Sequence, residues 1–300
     1  MTIRSFREGD EQLFFQLINE AYRNLEAVTL EYISRITTSE HFNPDGFFFA
    51  EKDGVPIGCI GVFNLPAKGF LWMGYLAVKD AFHNISIVNK LIEKALAFAD
   101  HKKPKMIKAV TLMIQPYVDA YKQFGFKPIR RILRIAWDLT EIPENVSYNQ
   151  KVDVVEVTEK DLEEASYVFV EGLKPYWDWW IEEEGGYERV LKRSKKWMKD
   201  LVCFVAKVNN EIVGLTGIVP NPKKDKADFL GVIVLPKFRM KGIGSALMKV
   251  VLNEARNLGY KRLVVHTVAY LDTFAPGAVL YLKWGGKIEM EYLHLVKEHI

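Results

Sequence analysis

The stretch of this 300-residue chain richest in possible chemistry is Val232-Ile233-Val234-Leu235-Pro236-Lys237-Phe238-Arg239-Met240-Lys241-Gly242-Ile243-Gly244-Ser245-Ala246-Leu247. A β-branched run stops at a proline, and a short basic loop with two glycines follows. Apolar residues then recur at helical spacing: Leu247, Val250, Val251, Leu252, Ala255 and Leu258. A helix start presents unpaired N–H groups and positive dipole potential. Gly242 and Gly244 carry no side chain to block an approaching anion, and Arg239 and Lys241 add charge. The chemistry is anion binding of the kind that holds a pyrophosphate. On these residues alone, a helix cap flanked by solvated basic side chains fits equally well. A dinucleotide-binding fingerprint fits poorly. It needs a third glycine where Leu247 stands, and a parallel βαβ start, whereas hairpin strands precede this loop.

The elements that position this loop occur twice. With Phe48-Phe49-Ala50 set on Phe204-Val205-Ala206, one offset puts Ile57-Gly58 on Val213-Gly214 and Gly61 on Gly217. It also puts Pro66-Ala67-Lys68 on Pro222-Lys223-Lys224, Val78 on Val234, Phe82 on Phe238 and Leu91 on Leu247, with no gap. Glycines, a proline and periodicity held in one register mark an internal repeat. Each copy opens with a short strand (residues 2–6 and 153–157) and a helix, with Asp10 and Asp161 as acidic N-caps. A second helix follows, then a strand pair turning at Asp53-Gly54 or Asn209-Asn210, pairs that supply the positive-φ residues of a tight hairpin. A fourth strand ends at Val78 and Val234, and helices run over about residues 85–99 and 244–258. A buried fifth strand, a short helix and a closing hairpin complete each copy. The expected division is 1–140, a linker over 141–152, and 153–300.

The string Val-x-Pro-x-Phe-Arg-x-Lys-Gly-Ile-Gly-x-Ala-Leu, in this order of elements, resembles the acetyl-CoA-binding motif of the GNAT superfamily of N-acetyltransferases. Arg239, Gly242 and Gly244 stand at its consensus positions. Downstream, Ala278-Val279-Leu280-Tyr281-Leu282-Lys283-Trp284-Gly285-Gly286 resembles the family's short helix with its Tyr and Gly, although the closing Phe is Gly286 here. The resemblance spans about residues 153–300. The N-terminal copy keeps Tyr121-Lys122-Gln123-Phe124-Gly125-Phe126, but His83, Ser86 and Val88 stand where the loop has Arg239, Gly242 and Gly244. A valine there is expected to crowd a phosphate. The resemblance thus implies an α/β (α+β) protein of two GNAT-like domains, each a mixed, mostly antiparallel sheet flanked by helices, the first degenerate.

The same resemblance implies the site. Acetyl-CoA would lie on the loop residues Arg239, Met240, Lys241, Gly242, Ile243, Gly244 and Ser245, with backbone N–H groups around Ile233 and Val234 facing the thioester carbonyl. Thioester aminolysis needs a neutral amine, a base for its proton, a donor for the carbonyl oxygen and an acid near the departing sulfur. Tyr281 matches the family's acid, with a core aromatic as the other reading. Asp228, whose repeat partner is Trp72, is the candidate base, with a solvated carboxylate beside Lys223, Lys224 and Lys226 as the other reading. The loop between the first two helices of the second copy, 172–180, usually recognises the acceptor. Tyr176, Asp178 and Trp179 are assigned to recognition of an amine, and Trp177 and Trp180 to packing. His266 is read as structural.

A net charge of +3 makes no case for nucleic-acid binding, which needs a concentrated basic face. No apolar run is long enough to span a bilayer, and the N-terminus has no signal-peptide stretch. Cys59 and Cys203 lie in apolar runs and read as buried free thiols of a cytoplasmic protein, with too few ligands for a metal. The expected partner is a small-molecule or peptide amine, and the expected state a monomer or homodimer. A regulatory module that binds an acyl-CoA or amine without turning it over is the alternative.

Overall fold

Strands that are apolar on both faces need cover on both sides. Residues 47–50, 57–63 and 212–218 are such strands, buried without a break. The protein's structure is a computed structural model describing residues 1–22, 27–82, 84–141, 152–222 and 225–298. The first repeat runs β1 (Thr2–Ser5), α1 (Glu11–Ala21), α2 (Leu30–Thr37), β2 (Phe47–Lys52), β3 (Val55–Asn64), β4 (Phe70–Val78), α3 (Ile85–His101), β5 (Met106–Leu112), α4 (Gln115–Gln123) and β6 (Lys127–Asp138). The second runs β7 (Asp153–Glu156), α5 (Leu162–Gly172), α6 (Asp178–Glu183), α7 (Tyr187–Trp197), β8 (Val202–Val208), β9 (Glu211–Val219), β10 (Lys226–Phe229), β11 (Ile233–Val234), α8 (Ile243–Asn257), β12 (Arg262–Ala269), α9 (Pro276–Lys283) and β13 (Lys287–Glu298). The chain forms two units, one of Met1–Arg130 with Tyr292–Ile300 and one of Arg131–Glu291.

In the first unit the strand order is β1-β2-β3-β4-β5, closed by residues 292–298 of β13 antiparallel to β5. Only β4 and β5 run parallel. Helices α1 and α2 cover the face of Phe47, Phe49, Cys59 and Phe63, while α3 and α4 cover that of Phe48, Ala50, Ile57 and Val62. In the second unit the order is β7-β8-β9-β10-β12, closed by residues 131–138 of β6 antiparallel to β12, and β11 pairs with β9. Helices α5 to α7 pack on Cys203, Val205 and Leu215, and α8 and α9 on Ala227, Phe229, Leu263 and Val265. Both sheets are mixed and mostly antiparallel, as expected of the α/β (α+β) class. The hairpin turns hold Asp53, Gly54, Asn209 and Asn210 at φ of 52°, 78°, 50° and 64°, the left-handed geometry such turns need.

Three expectations are corrected. Asp10 and Asp161 stand at the N-cap positions of α1 and α5, but neither side chain accepts from the first N–H groups of its helix: Asp10 accepts from the N–H of Arg7 at 2.7 Å, and Asp161 from the N–H of Thr158 at 3.0 Å in a capping box one turn earlier. The closing hairpin of each repeat is one twelve-residue strand, β6 or β13. Neither sequence carries a glycine or asparagine to turn it. The recognition loop contains a short helix, α6. The expected linker lies almost wholly outside the described residues, as do His83, Lys223 and Lys224. Among the described residues no helix is long and apolar enough to cross a membrane. Cys59 and Cys203 are buried and unpaired, and burial raises both thiols, Cys203 to about 12.

Candidate active site

The fourth strand of the second repeat breaks at a bulge. On β9, Thr216 alone stands between Leu215, which faces Ile233, and Gly217, whose carbonyl accepts from the N–H of Leu230 at 2.8 Å. Opposite it lie two residues, Gly231 and Val232, as a β-bulge requires. Gly231 takes φ +98°, a conformation other residues rarely adopt. Beyond the bulge the strand leaves its parallel neighbour: β10 pairs with β12 as far as Asp228 and Val264, while β11 pairs with β9 alone. The N–H of Leu235 donates to Val213 O at 3.0 Å. By strand alternation the N–H of Val234 turns the other way, into the gap between the splayed strands. Ile233, of the opposite parity, directs its N–H toward β9.

At the mouth of this gap the chain passes through Pro236–Phe238 into the loop before α8. Met240 and Gly242 both hold left-handed backbone, at φ 60° and 84°. Left-handed residues placed alternately turn successive N–H groups to one side and form an anion-binding nest. Gly242 is the N-cap of α8 and offers no side chain, so the first N–H groups of the helix are not capped by it. The first repeat differs here. Its α3 begins at Ile85, two residues earlier in the repeat register, and the Asn84 side chain accepts from Ser86 N at 2.8 Å. That helix start is capped by the protein itself. The crowding expected of a valine takes another form. A side chain at Gly244 would meet Leu280 at 3.2 Å and Val232 at 3.6 Å, and Val88 in the first repeat is buried in its own core. The glycine permits α8, α9 and the bulge to approach one another.

Arg239 does not stand free. Its Nε donates to Val234 O at 3.1 Å, its guanidinium donates to Gly172 O at 2.9 Å and to Lys174 O, and it lies 5.2 Å over the Tyr176 ring. It fastens the loop to the end of α5, where helix carbonyls lack partners. Gly172 makes that approach possible, since a Cβ there would sit 2.4 Å from Ile233 Cγ2. Met240 is 98% exposed, Lys241 is exposed with its ammonium 5.3 Å over Phe238, Ile243 is buried in the core and Ser245 is half-buried in the first turn of α8.

Tyr281, on α9, is buried against Trp137 and Phe229, with ring centroids 5.7 and 5.6 Å away. Its hydroxyl accepts from the N–H of Val232 at 2.9 Å, inside the bulge. Burial pushes its pKa up to about 12. Trp137 also explains the Gly286 departure. Its Nε1 donates to Trp284 O at 2.9 Å, and its ring would lie 2.9 Å from a Cβ on Gly286, so an aromatic from another strand fills the space. Asp228 is exposed, 4.0 Å from Lys226 Nζ. Its neighbours Ala227 and Phe229 are buried on the side of Tyr281, so Asp228 points to the opposite face of the sheet. In the recognition loop, Trp177 and Trp180 pack on the core beneath α5. Trp179 stacks on Trp177 at 5.4 Å and donates to Tyr176 O at 3.0 Å, while Asp178 is exposed at the start of α6.

The sequence model of the Acetyltransferase (GNAT) family matches residues 12–126 and 172–275. The chain belongs to the GNAT acetyltransferase family. No curated protein matches its sequence. Its fold is similar to that of a GCN5-related N-acetyltransferase from Sphaerobacter thermophilus, with a TM-score of 0.80 at 18% identity over 99% of this chain and 95% of that one. It is also similar to a tandem GNAT protein from the clavulanic acid biosynthesis pathway, with a TM-score of 0.66 at 11% identity over 99% and 98%. A putative acetyltransferase from Pyrococcus horikoshii gives 0.58 at 16% identity over 100% and 89%. The two matched regions and these neighbours make this GNAT chain a tandem one.

Four residues of this tandem GNAT chain that shape the gap escaped the sequence reading: Gly172, Thr216, Gly231 and Gly277. Thr216 carries a visible signal, a single hydroxyl within an apolar strand, and that hydroxyl donates to Gly231 O at 3.0 Å. Gly277 emerges on comparing repeats. In the register that sets Tyr121 on Tyr281 and Gly125 on Gly285, it matches Tyr117, whose hydroxyl accepts from the N–H of Val78 at 3.2 Å.

Proposed function

We propose that the C-terminal half transfers an acetyl group from acetyl-CoA to a primary amine by direct attack, with both substrates bound together. The observation that carries this is the conjunction in one half of an uncapped helix start after a left-handed loop and, beside it, a splayed bulge with an N–H turned into the gap. Backbone N–H groups of Lys241, Gly242, Ile243, Gly244 and Ser245 hold the pyrophosphate. Met240 supplies the left-handed turn, and Arg239 holds the loop in shape through carbonyls. The thioester carbonyl lies on the N–H of Val234, a fixed donor that strengthens as the oxygen gains charge. Ile233 positions Val234 through the β9 ladder.

Tyr281 donates to the departing sulfur. The N–H of Val232 occupies one lone pair of its hydroxyl, which leaves the phenolic proton to point elsewhere. A phenol pushed up to about 12 stays protonated at neutral pH. Such a group stabilises a thiolate as a hydrogen-bond donor. Asp228, on the opposite face, takes the proton of the incoming ammonium, so acid and base serve the two sides of the gap. Tyr176, Asp178 and Trp179 form the wall that meets the amine, with the Tyr176 ring held by Arg239. Two unpaired buried thiols fit a cytoplasmic setting. A panel of amines, each assayed for CoA thiol release, tests the reading. Release above background with at least one primary amine is expected. Tight acetyl-CoA binding with no release across the panel would instead make the chain a binding module.

A further inference from the structure

The peptide that joins Gly231 to Val232 is held at both ends. Its carbonyl accepts from Thr216 Oγ1 at 3.0 Å, and its N–H donates to the Tyr281 hydroxyl at 2.9 Å. Thr216 is fully buried and sits alone opposite the two bulge residues. A peptide plane moves as one rigid body, so a hydrogen bond on its oxygen sets the direction of its N–H. We infer that Thr216 is a positioning residue that acts through this peptide on the Tyr281 hydroxyl.

The first repeat supplies an internal control. It has the same bulge, with the register of β3 and β4 shifting between Cys59 and Gly61 opposite Tyr75 and Leu76. There Ile60, buried and without a hydroxyl, holds the position of Thr216, and Tyr75 at φ 56° holds that of Gly231. Tyr121, the counterpart of Tyr281, has a buried hydroxyl with no hydrogen-bond partner. The matching carbonyl, Tyr75 O, accepts instead from the Cys59 thiol at 3.4 Å, a weaker donor than a hydroxyl, and the tyrosine of the short helix is not seated on the bulge. A bulge alone is thus not sufficient for the clasp.

The inference rests on the acetyltransferase reading for its kinetic consequence but not for its structural one, and the test has one arm for each. Thr216→Val keeps the shape and removes the donor, while Thr216→Ser keeps the donor. In the full-length chain, hydrogen exchange of the Val232 amide, followed by NMR, should quicken at least about tenfold in Thr216→Val and in Tyr281→Phe, and stay near wild type in Thr216→Ser. This arm needs no turnover. With an amine that is turned over, Thr216→Val should lower kcat by about ten- to a hundredfold, the cost of slight misplacement at a reacting centre. The Kd for acetyl-CoA should hold within about twofold, a requirement that also reports a folded loop. Added to Tyr281→Phe, it should lower kcat by less than about threefold, since both act through one hydroxyl. Unchanged Val232 exchange in Thr216→Val would overturn the clasp whatever the activity. Altered exchange with unchanged kcat, or a loss that multiplies in full on Tyr281→Phe, would overturn the positioning role. Absence of turnover in the wild type would count against the acetyltransferase reading and leave the exchange result to decide the clasp.

Discussion

In the N-terminal half, the fourth strand turns the Val78 N–H onto the hydroxyl of Tyr117, and the Tyr22 hydroxyl donates to Leu76 O beside it. Both phenols are pushed up by burial, Tyr117 to about 12. In the C-terminal half the matching N–H, that of Val234, faces the splay, and Gly277 stands where the other half has Tyr117. The two halves also treat their helix starts oppositely. Asn84 caps α3, while α8 begins at a bare left-handed Gly242. One half satisfies its spare donors with its own side chains, and in the other no side chain caps the helix start. The difference shows how a shared backbone can present its donors or cover them. The bulge and splay survive in both halves, and what changes is whether side chains fill the donors.

The sharpest way to break this comparison is to move the stopper. Gly277→Tyr places in the C-terminal half the side chain that takes up this N–H in the N-terminal one. A Cβ at Gly277 would meet Thr267 Oγ1 at 3.2 Å, a contact that needs a shift of a few tenths of an ångström. If the introduced phenol takes up the Val234 N–H as Tyr117 takes up that of Val78, kcat should fall by about 10²- to 10³-fold, the usual cost of losing a donor to the developing oxyanion. Steady-state kinetics beside far-UV circular dichroism would check it. Full activity in a folded Gly277→Tyr protein would mean that this N–H is not used.

A smaller effect on folding, but one of opposite sign in the two halves, is expected at the paired tyrosines. Tyr281→Phe leaves the Val232 N–H without its acceptor, and thermal unfolding should show a loss of about 1–3 kcal/mol. Turnover should fall by about ten- to ten-thousand-fold if the hydroxyl serves the leaving sulfur. Tyr121→Phe removes a buried hydroxyl that has no hydrogen-bond partner. It should leave turnover unchanged and hold or raise stability. Equal losses of stability in both mutants would erase the distinction between the halves.

Much of this was legible in the sequence, because it is written in local signals. The Asp53-Gly54 and Asn209-Asn210 turns, the two glycines of the loop and the repeated register of apolar strands each act within a few residues. What was not legible depends on partners far along the chain. Arg239 reads as a phosphate-facing cation until Gly172 O and Lys174 O are seen to hold it. The missing aromatic at Gly286 is supplied by Trp137, and the hydroxyl of Tyr281 finds its place on Val232. The closing strands read as hairpins by analogy, although β6 and β13 lack the residues that would turn them. Asp10 and Asp161 stand at helix starts as expected, but each carboxylate accepts from a turn N–H three residues back rather than from its helix.

In the proposed division of roles, one half offers its donors to acyl-CoA and the other does not. Isothermal titration of the full-length chain with acetyl-CoA tests it most directly. One site per chain is expected, with binding weakened by salt as a pyrophosphate held on a basic loop requires. Two equivalent sites, or no binding, would contradict the account.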